Sequence, residues 1–372
     1  MLRAADKMMQ PRRLGALHGS RLSFLRVLLR RIQREKWSFV RTEFEIGANF
    51  TGHAVYTAKT PARSYSLVVF AHQLKPEERT DRVIANAWDA TFTLFDGVPD
   101  ARDIQRLRQH VPLQEAGRLQ ASELSLSRAN KSVRLWNSVV AALSEGCQPS
   151  QEIIDSTGYL MRTTAVYGSG KFGACDRETL LDRPELQPAF QAEMLTVFMV
   201  RQFARDWVER EAKLRAPGTA VRLDEDLACR LGIGNSTGLG MAPFLINHPI
   251  LIDHWMRARE TAIARVQAVG LVNTHDRNLV LQLLQRAQRE FSLWHSDDED
   301  QKISIEHLLQ DLNMLMSWFA QRERNEMLWS DAMKFAHAKL RLEAQEILAS
   351  VMLEPYEDLV DDLVDHMAVA EG

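Results

Sequence analysis

The chain has 372 residues, 45% of them hydrophobic and 26% charged, which allows one large domain or two smaller ones around a sizeable core. Its formal net charge of −3 lacks the basic excess that binding to a phosphate backbone needs, so no nucleic-acid partner is expected. Three scattered cysteines, Cys147, Cys175 and Cys229, supply neither a disulfide framework nor a zinc spacing, which points to a reducing, cytoplasmic setting.

Residues 1–36 form a basic segment, with ten Lys or Arg against Asp6 and Glu35. Arg26 interrupts its apolar run and no small-residue cleavage site follows, so it is not a secretory signal; a transit peptide and a leader both remain open. From Ser20 to Arg34, Leu22, Leu25, Leu28, Leu29 and Ile32 share one side and arginines the other. That pattern predicts an amphipathic helix, packed on its own domain or lying on a membrane surface.

Three alternating runs follow: Trp37 to Ile46, Gly52 to Lys59 and, after a Thr60-Pro61 turn, Tyr65 to His72. They predict a three-stranded antiparallel meander over 37–75. Its order, with IGANFTGHAVYTA between strands, resembles a kinase nucleotide lobe. The third strand, however, holds no lysine, and no HRD or DFG triplet follows, so kinase chemistry is not expected.

From residue 76 to 372 the spacing reads as helical. A helix is predicted over 77–96, then one capped by Asp100. A polar, capping-rich stretch comes next, containing Gln114, Glu115, Arg118, Arg128 and Asn130, and Ser122 or Ser127 starts the following helix. Further helices are predicted over Gln151–Thr164, Pro184–Arg215, 223–230, His248–Val269, Asn273–Trp294, 303–322 and 325–350, with the acidic SDDED at 296–300 as a loop. The expected fold class is therefore α+β and predominantly α-helical: a small N-terminal meander followed by a compact helical bundle.

Two Gly-rich stretches stand out within that bundle, 158–173 (GYLMRTTAVYGSGKFG) and 231–243 (LGIGNSTGLGMAP). Together with the apolar run to Ile252 they hold eight of the chain's 18 glycines. The second carries no charge as far as Ile252 and runs into a helix near Pro243, and exposed N–H groups at a helix start favour anions. The two are expected to meet and form one pocket. Arg162 is the anion-binding group, since a guanidinium grips a carboxylate or phosphate through two parallel hydrogen bonds. Thr163, Thr164, Ser169, Asn235, Ser236, Thr237 and Asn247 supply short donors. His248, Tyr167 and Lys171 are the candidate proton-transfer or amine groups. Lys171 lacks Walker spacing, with Phe172 where a hydroxyl would bind a metal, so nucleotide hydrolysis of that kind is not expected.

Gly234 to Pro249 (GNSTGLGMAPFLINHP) resembles in part the Gly/Ser-rich signature loop of the fumarase–aspartase lyases, although the lysine of that signature is missing. The likeness implies only that such a loop ahead of a helix can hold a carboxylate substrate. No ligand spacing supports a metal. With Gln151–Thr164 read as helix, no Gly-x-Gly-x-x-Gly run follows a strand and no βαβ unit is expected, so no cofactor is predicted. The expected function is an enzyme of lyase, isomerase or hydrolase type acting on a small carboxylate or phosphate, as a homodimer without a transmembrane segment. The alternative is a non-catalytic helical scaffold, membrane-peripheral through its basic helix.

Overall fold

The computed structural model describes residues 21–73, 88–113, 117–163, 173–174, 177–235, 249–293, 299–321 and 327–363. Main-chain proximity divides the chain into two compact units, Leu28–Leu239 and Met1–Val27 with Gly240–Gly372. The helix α1 (Phe24–Arg34) carries the chain from one to the other.

The first unit is built on an eight-stranded sheet. Strands β1 (Ser38–Ile46), β2 (Gly52–Lys59) and β3 (Ser64–Ala71) form the expected meander. They are only its first three strands. β4 (Ala90–Asp96) continues the antiparallel order, corresponding to part of the stretch read as a helix over 77–96; residues 74–87 lie outside the described residues. The alternation that fixes β4 is Phe92 and Leu94 on one face with Thr91 and Thr93 on the other, and buried threonines hid it from an apolar count.

After β4, the helix α2 (Ala101–His110) starts as expected at Asp100. Its side chain accepts from the amides of Arg102 and Asp103, while the Asp103 carboxylate accepts from the Asp100 amide, a closed capping box. The polar stretch then becomes a strand, β5 (Glu123–Lys131), not a helix start, because Ser125 and Ser127 are buried hydroxyls at period-two spacing. Helix α3 (Val133–Ser144) follows Ser132, and α4 (Gln151–Thr157) is ended by Gly158 in the left-handed region at φ 70°. The predicted helix to Thr164 therefore stops early, and Tyr159–Thr163 is a strand, β6. β7 (Gly173–Ala174) pairs with β5. The long helix α5 (Gln191–Arg215) and the short α6 (Glu225–Arg230) lead to β8 (Gly232–Asn235), which joins β6 in parallel. The run β6, α5, β8 is thus a βαβ unit that the sequence reading did not anticipate.

The sheet is covered on both faces. Phe203 of α5 meets Tyr56 and Phe92 with centroids 6.3 and 5.7 Å apart, and Tyr56 donates to Asp206 at 2.7 Å. On the other face α2 buries Ile104 and Leu107 against Val55, Val68, Phe70, Phe95 and Leu126. A bulge in β5 turns Glu123 to that side. There its wholly buried carboxylate accepts from Arg106 at 2.6 Å and meets His110 at 3.0 Å.

The second unit is helical: α7 (Pro249–Gln267), α8 (Thr274–Ser292), α9 (Glu299–Gln321), α10 (Trp329–Lys339), α11 (Leu342–Val351) and α12 (Glu357–Val360). Of Asn273 and Thr274, either of which the sequence allows as the cap of α8, Asn273 takes that place, and Glu299 and Asp300 open α9 instead of closing a loop. The single helix expected over 325–350 is broken at Arg341, whose amide and guanidinium both bind Asp311 at 2.7 Å. Arg259 and Glu346 form a buried ion pair. Trp329 donates to the Tyr356 hydroxyl at 2.7 Å, and burial pushes that phenol up to about 12. No helix among the described residues is long and apolar enough to cross a membrane.

Candidate functional site

Strand register brings the carboxyl ends of β6 and β8, each within a Gly-rich stretch, to one end of the sheet. Gly52, Ala71, Ala90, Ala129, Thr163 and Asn235 stand opposite one another in sequence across β2, β3, β4, β5, β6 and β8. β6 and β8 run parallel and both end there, Thr163 beside Asn235. The chain leaves that end toward 164–172 from one strand and toward 236–248 from its neighbour.

Of the predicted site residues, three are described: Arg162 and Thr163, which are consecutive on β6 and so face opposite sides of the sheet, and Asn235 on β8. Arg162 on β6 donates to the Tyr159 hydroxyl and lies 5.3 Å from that ring's centroid. Thr163 is wholly buried, and its Oγ1 has no hydrogen-bond partner among the described residues. Asn235 holds its place in the ladder opposite Thr163. Thr164, Tyr167, Ser169, Lys171, Ser236, Thr237, Asn247 and His248 lie outside the described residues. Gly168 to Gly173 spells Gly-x-Gly-x-x-Gly, and β6 does precede it, contrary to the expectation. However, Gly173–Ala174 is strand β7, and the next α-helix begins only at Gln191. No helix N-terminus follows directly to receive a diphosphate.

Each face of this sheet end carries polar groups that the sequence reading did not assemble. Residues directly opposite one another in a ladder share a face. Toward α5 lies Lys131, paired with Glu211, its Nζ 3.8 Å from the Trp207 ring and 4.6 Å from Trp136. Trp136 Nε1 donates to the second Glu211 oxygen at 2.9 Å. Away from α5 lie His72, Thr91, Arg128, Asn130 and Arg162, placed by the pairs Thr91–Arg128 and Asn130–Arg162. The Arg128 guanidinium sits 4.1 Å over the Trp88 ring, and burial lowers its pKa. Asp89 and β5 interlock: the Asp89 amide donates to Asn130 Oδ1 at 2.9 Å, and Lys131 N donates to Asp89 Oδ2 at 2.8 Å. Burial also lowers His72, so its imidazole is neutral at pH 7. His72 and Thr91 were legible only as strand residues; their convergence with Arg128 needs the β3–β4–β5 register.

A cavity of about 200 Å³ opens at the opposite ends of β6 and β8, lined by Leu160, Leu231, Phe198, Arg201, Arg205 and Ala228. Its cations are already engaged. Arg205 binds Glu225 at 2.7 Å and Glu209 at 3.2 Å, and Arg201 donates to the Ala228 carbonyl at 2.6 Å. No group of three or more metal-ligating side chains occurs among the described residues.

No family model matches the chain, and no curated protein or solved structure matches it either.

Proposed function

We propose that the sheet end formed by β5, β6 and β8 binds a small carboxylate or phosphate metabolite, and that the protein is an enzyme of lyase, isomerase or hydrolase type acting on it. The observation that supports this is the parallel pairing of β6 with β8, which sets Thr163 beside Asn235 inside the two Gly-rich stretches. Ligands of sheets with parallel strands commonly sit outside the carboxyl ends of those strands. In this reading Arg162 neutralises the anion, while Thr163, one residue on, presents its side chain to the opposite face of the sheet. The following Thr164, Ser169, Ser236 and Thr237 supply further donors, and Tyr167 or Lys171 moves the proton. Asn247 and His248 follow Gly240, in the part of the chain assigned to the second unit, and this proposal gives them no role.

The membrane-peripheral alternative draws less support. In α1, Phe24, Val27 and Leu28 are buried, Arg26 binds Glu354 at 2.6 Å and Arg31 binds Glu35 at 3.2 Å. Part of its apolar side and two of its arginines are thus used within the protein, while Leu25 and Leu29 are exposed.

The test is a thermal-shift screen of the full chain against small carboxylates, phosphates and phosphate esters. A ligand at about 100 times its Kd adds roughly 2.7 kcal/mol to stability. The expected result is a shift that Arg162→Ala removes and Arg162→Lys keeps in part, since a lysine holds the charge without the fork. Loss of Arg162 breaks only a contact to the Tyr159 hydroxyl among those described, so the ligand-free melting temperature stays within a few degrees. An unchanged shift in Arg162→Ala would sink the proposed position of the anion.

A further inference from the structure

The face of the sheet turned away from α5 carries two adjacent polar rows at the end where β6 and β8 finish. One row crosses β2 to β5 as His53, Phe70, Thr91 and Arg128. The other holds His72, whose amide donates to the Asp89 carbonyl at 2.6 Å, and then Asn130 opposite Arg162. Diagonal neighbours in such a ladder lie within about 8 Å, inside the reach of these side chains. Thr91 and His72 are such neighbours, and Thr91 stands directly opposite Arg128.

Two buried polar atoms in these rows have no hydrogen-bond partner among the described residues, Thr91 Oγ1 and His72 Nε2, and Thr91 is wholly buried. Burying a hydroxyl without a partner is unfavourable, so each such atom in a folded protein asks for an explanation. Both groups are of the same chemical kind. A threonine hydroxyl donates and accepts, and a neutral imidazole presents one donor and one acceptor nitrogen. Neither adds charge. On the same face Thr91 stands directly opposite Arg128, whose guanidinium lies over Trp88, and Arg162, near the Tyr159 ring, follows on the next strand. Cations suit the oxygens of an anion, whereas a donor–acceptor pair suits a neutral hydroxyl, which also donates and accepts.

Building on the proposed function, we infer that the ligand of this sheet end is a small oxyanion carrying a neutral hydroxyl beside its charge, the charged group on Arg128 and Arg162 and the hydroxyl on Thr91 Oγ1 and His72 Nε2. Thr91 and His72 are then the specificity-determining residues of the site. A pocket built to bond a hydroxyl rejects an analogue without it, because its own polar groups are left unpaired.

The experiment uses matched probes on the full chain: tartronate against malonate, which differ by one hydroxyl, and glycerol 3-phosphate against propyl phosphate. Calorimetric titration is expected to give the hydroxylated member of at least one pair an affinity about tenfold or more higher. Thr91→Val and His72→Phe are each expected to abolish that preference while leaving the hydroxyl-free member's affinity in place. Arg128→Ala is expected to weaken both members. Thr91→Val conserves shape, so the ligand-free protein should melt at the same temperature or higher. A melting temperature lowered by Thr91→Val shows that the hydroxyl has a structural partner and overturns the inference. So does a preference that survives both substitutions, or the absence of any preference while binding remains Arg162-dependent; either result leaves the anion site standing. Failure of all four probes and of inorganic phosphate to bind overturns both.

Discussion

At the residue scale Lys131 is a closely held charge of the sheet unit. Its side chain and that of Glu211 are each 11% exposed. The ammonium is enclosed by the rings of Trp207 and Trp136, with Phe50 at 5.9 Å. Glu211 in turn accepts from Trp136 Nε1. Neither charge has water to fall back on, so the pair stands or falls together. Lys131→Met leaves a buried carboxylate with only an indole donor among the described contacts, and should cost about 3 kcal/mol in urea unfolding. Adding Glu211→Gln should recover part of that loss, because a neutral amide oxygen still accepts from Trp136. A cost below about 1 kcal/mol for the single substitution would mean that the pair is solvated.

At the scale of elements, the strand boundaries depend on two glycines that behave differently. Gly52 opens β2 at φ +146°, and a Cβ there would lie 1.9 Å from the Glu45 carbonyl oxygen. Gly158 ends α4 at φ +70°, with nothing within 4 Å of the position a Cβ would take. Gly52→Ala must push two hydrogen-bonded strands apart, and should cost about 3 kcal/mol or more. Gly158→Ala meets only backbone strain, about 1 kcal/mol, and Gly158→Asn less, since asparagine tolerates the left-handed region. Equal losses at the two sites in thermal unfolding would refute this assignment. The same elements show what the sequence made legible. Apolar alternation marked β1 to β3, the Asp100 box marked α2, and apolar spacing marked α5. Hidden were β4, β5 and β6, whose inward positions are threonines, serines and an arginine that a hydrophobic count reads as polar. Burial of Ser125 becomes intelligible only once Thr196 of α5 stands 2.8 Å away. For the same reason the pairing of Thr163 with Asn235 was readable only as two glycine-dense stretches, and the rows of Thr91 and His72 were not readable at all.

At the scale of the whole molecule, the basic N-terminal segment takes on a structural role. Residues 21–27 fall in the unit formed by the C-terminal helices. Arg21 binds Asp361 at 2.7 Å and Glu357 at 2.9 Å, Arg26 binds both oxygens of Glu354 at 2.6 and 2.8 Å, and Trp255 Nε1 donates to the Leu22 carbonyl at 3.0 Å. Phe24 closes the set, with its ring 5.8 Å from Trp255. Among the described residues, the arginines at 21 and 26 and the acidic groups at 354, 357 and 361 are therefore complementary parts of one helical unit. The arginine pairs are partly exposed and contribute little individually, which leaves the aromatic contact as the main tie. Phe24→Ala should cost about 3 kcal/mol, a large share of the 5–15 kcal/mol typical of a domain. Amide exchange should then accelerate in α7 and α12 while the amides of β2 to β5 keep their protection. Loss of protection across the sheet to the same extent would mean that the two units unfold as one, and that the segment does not belong to the helical unit alone.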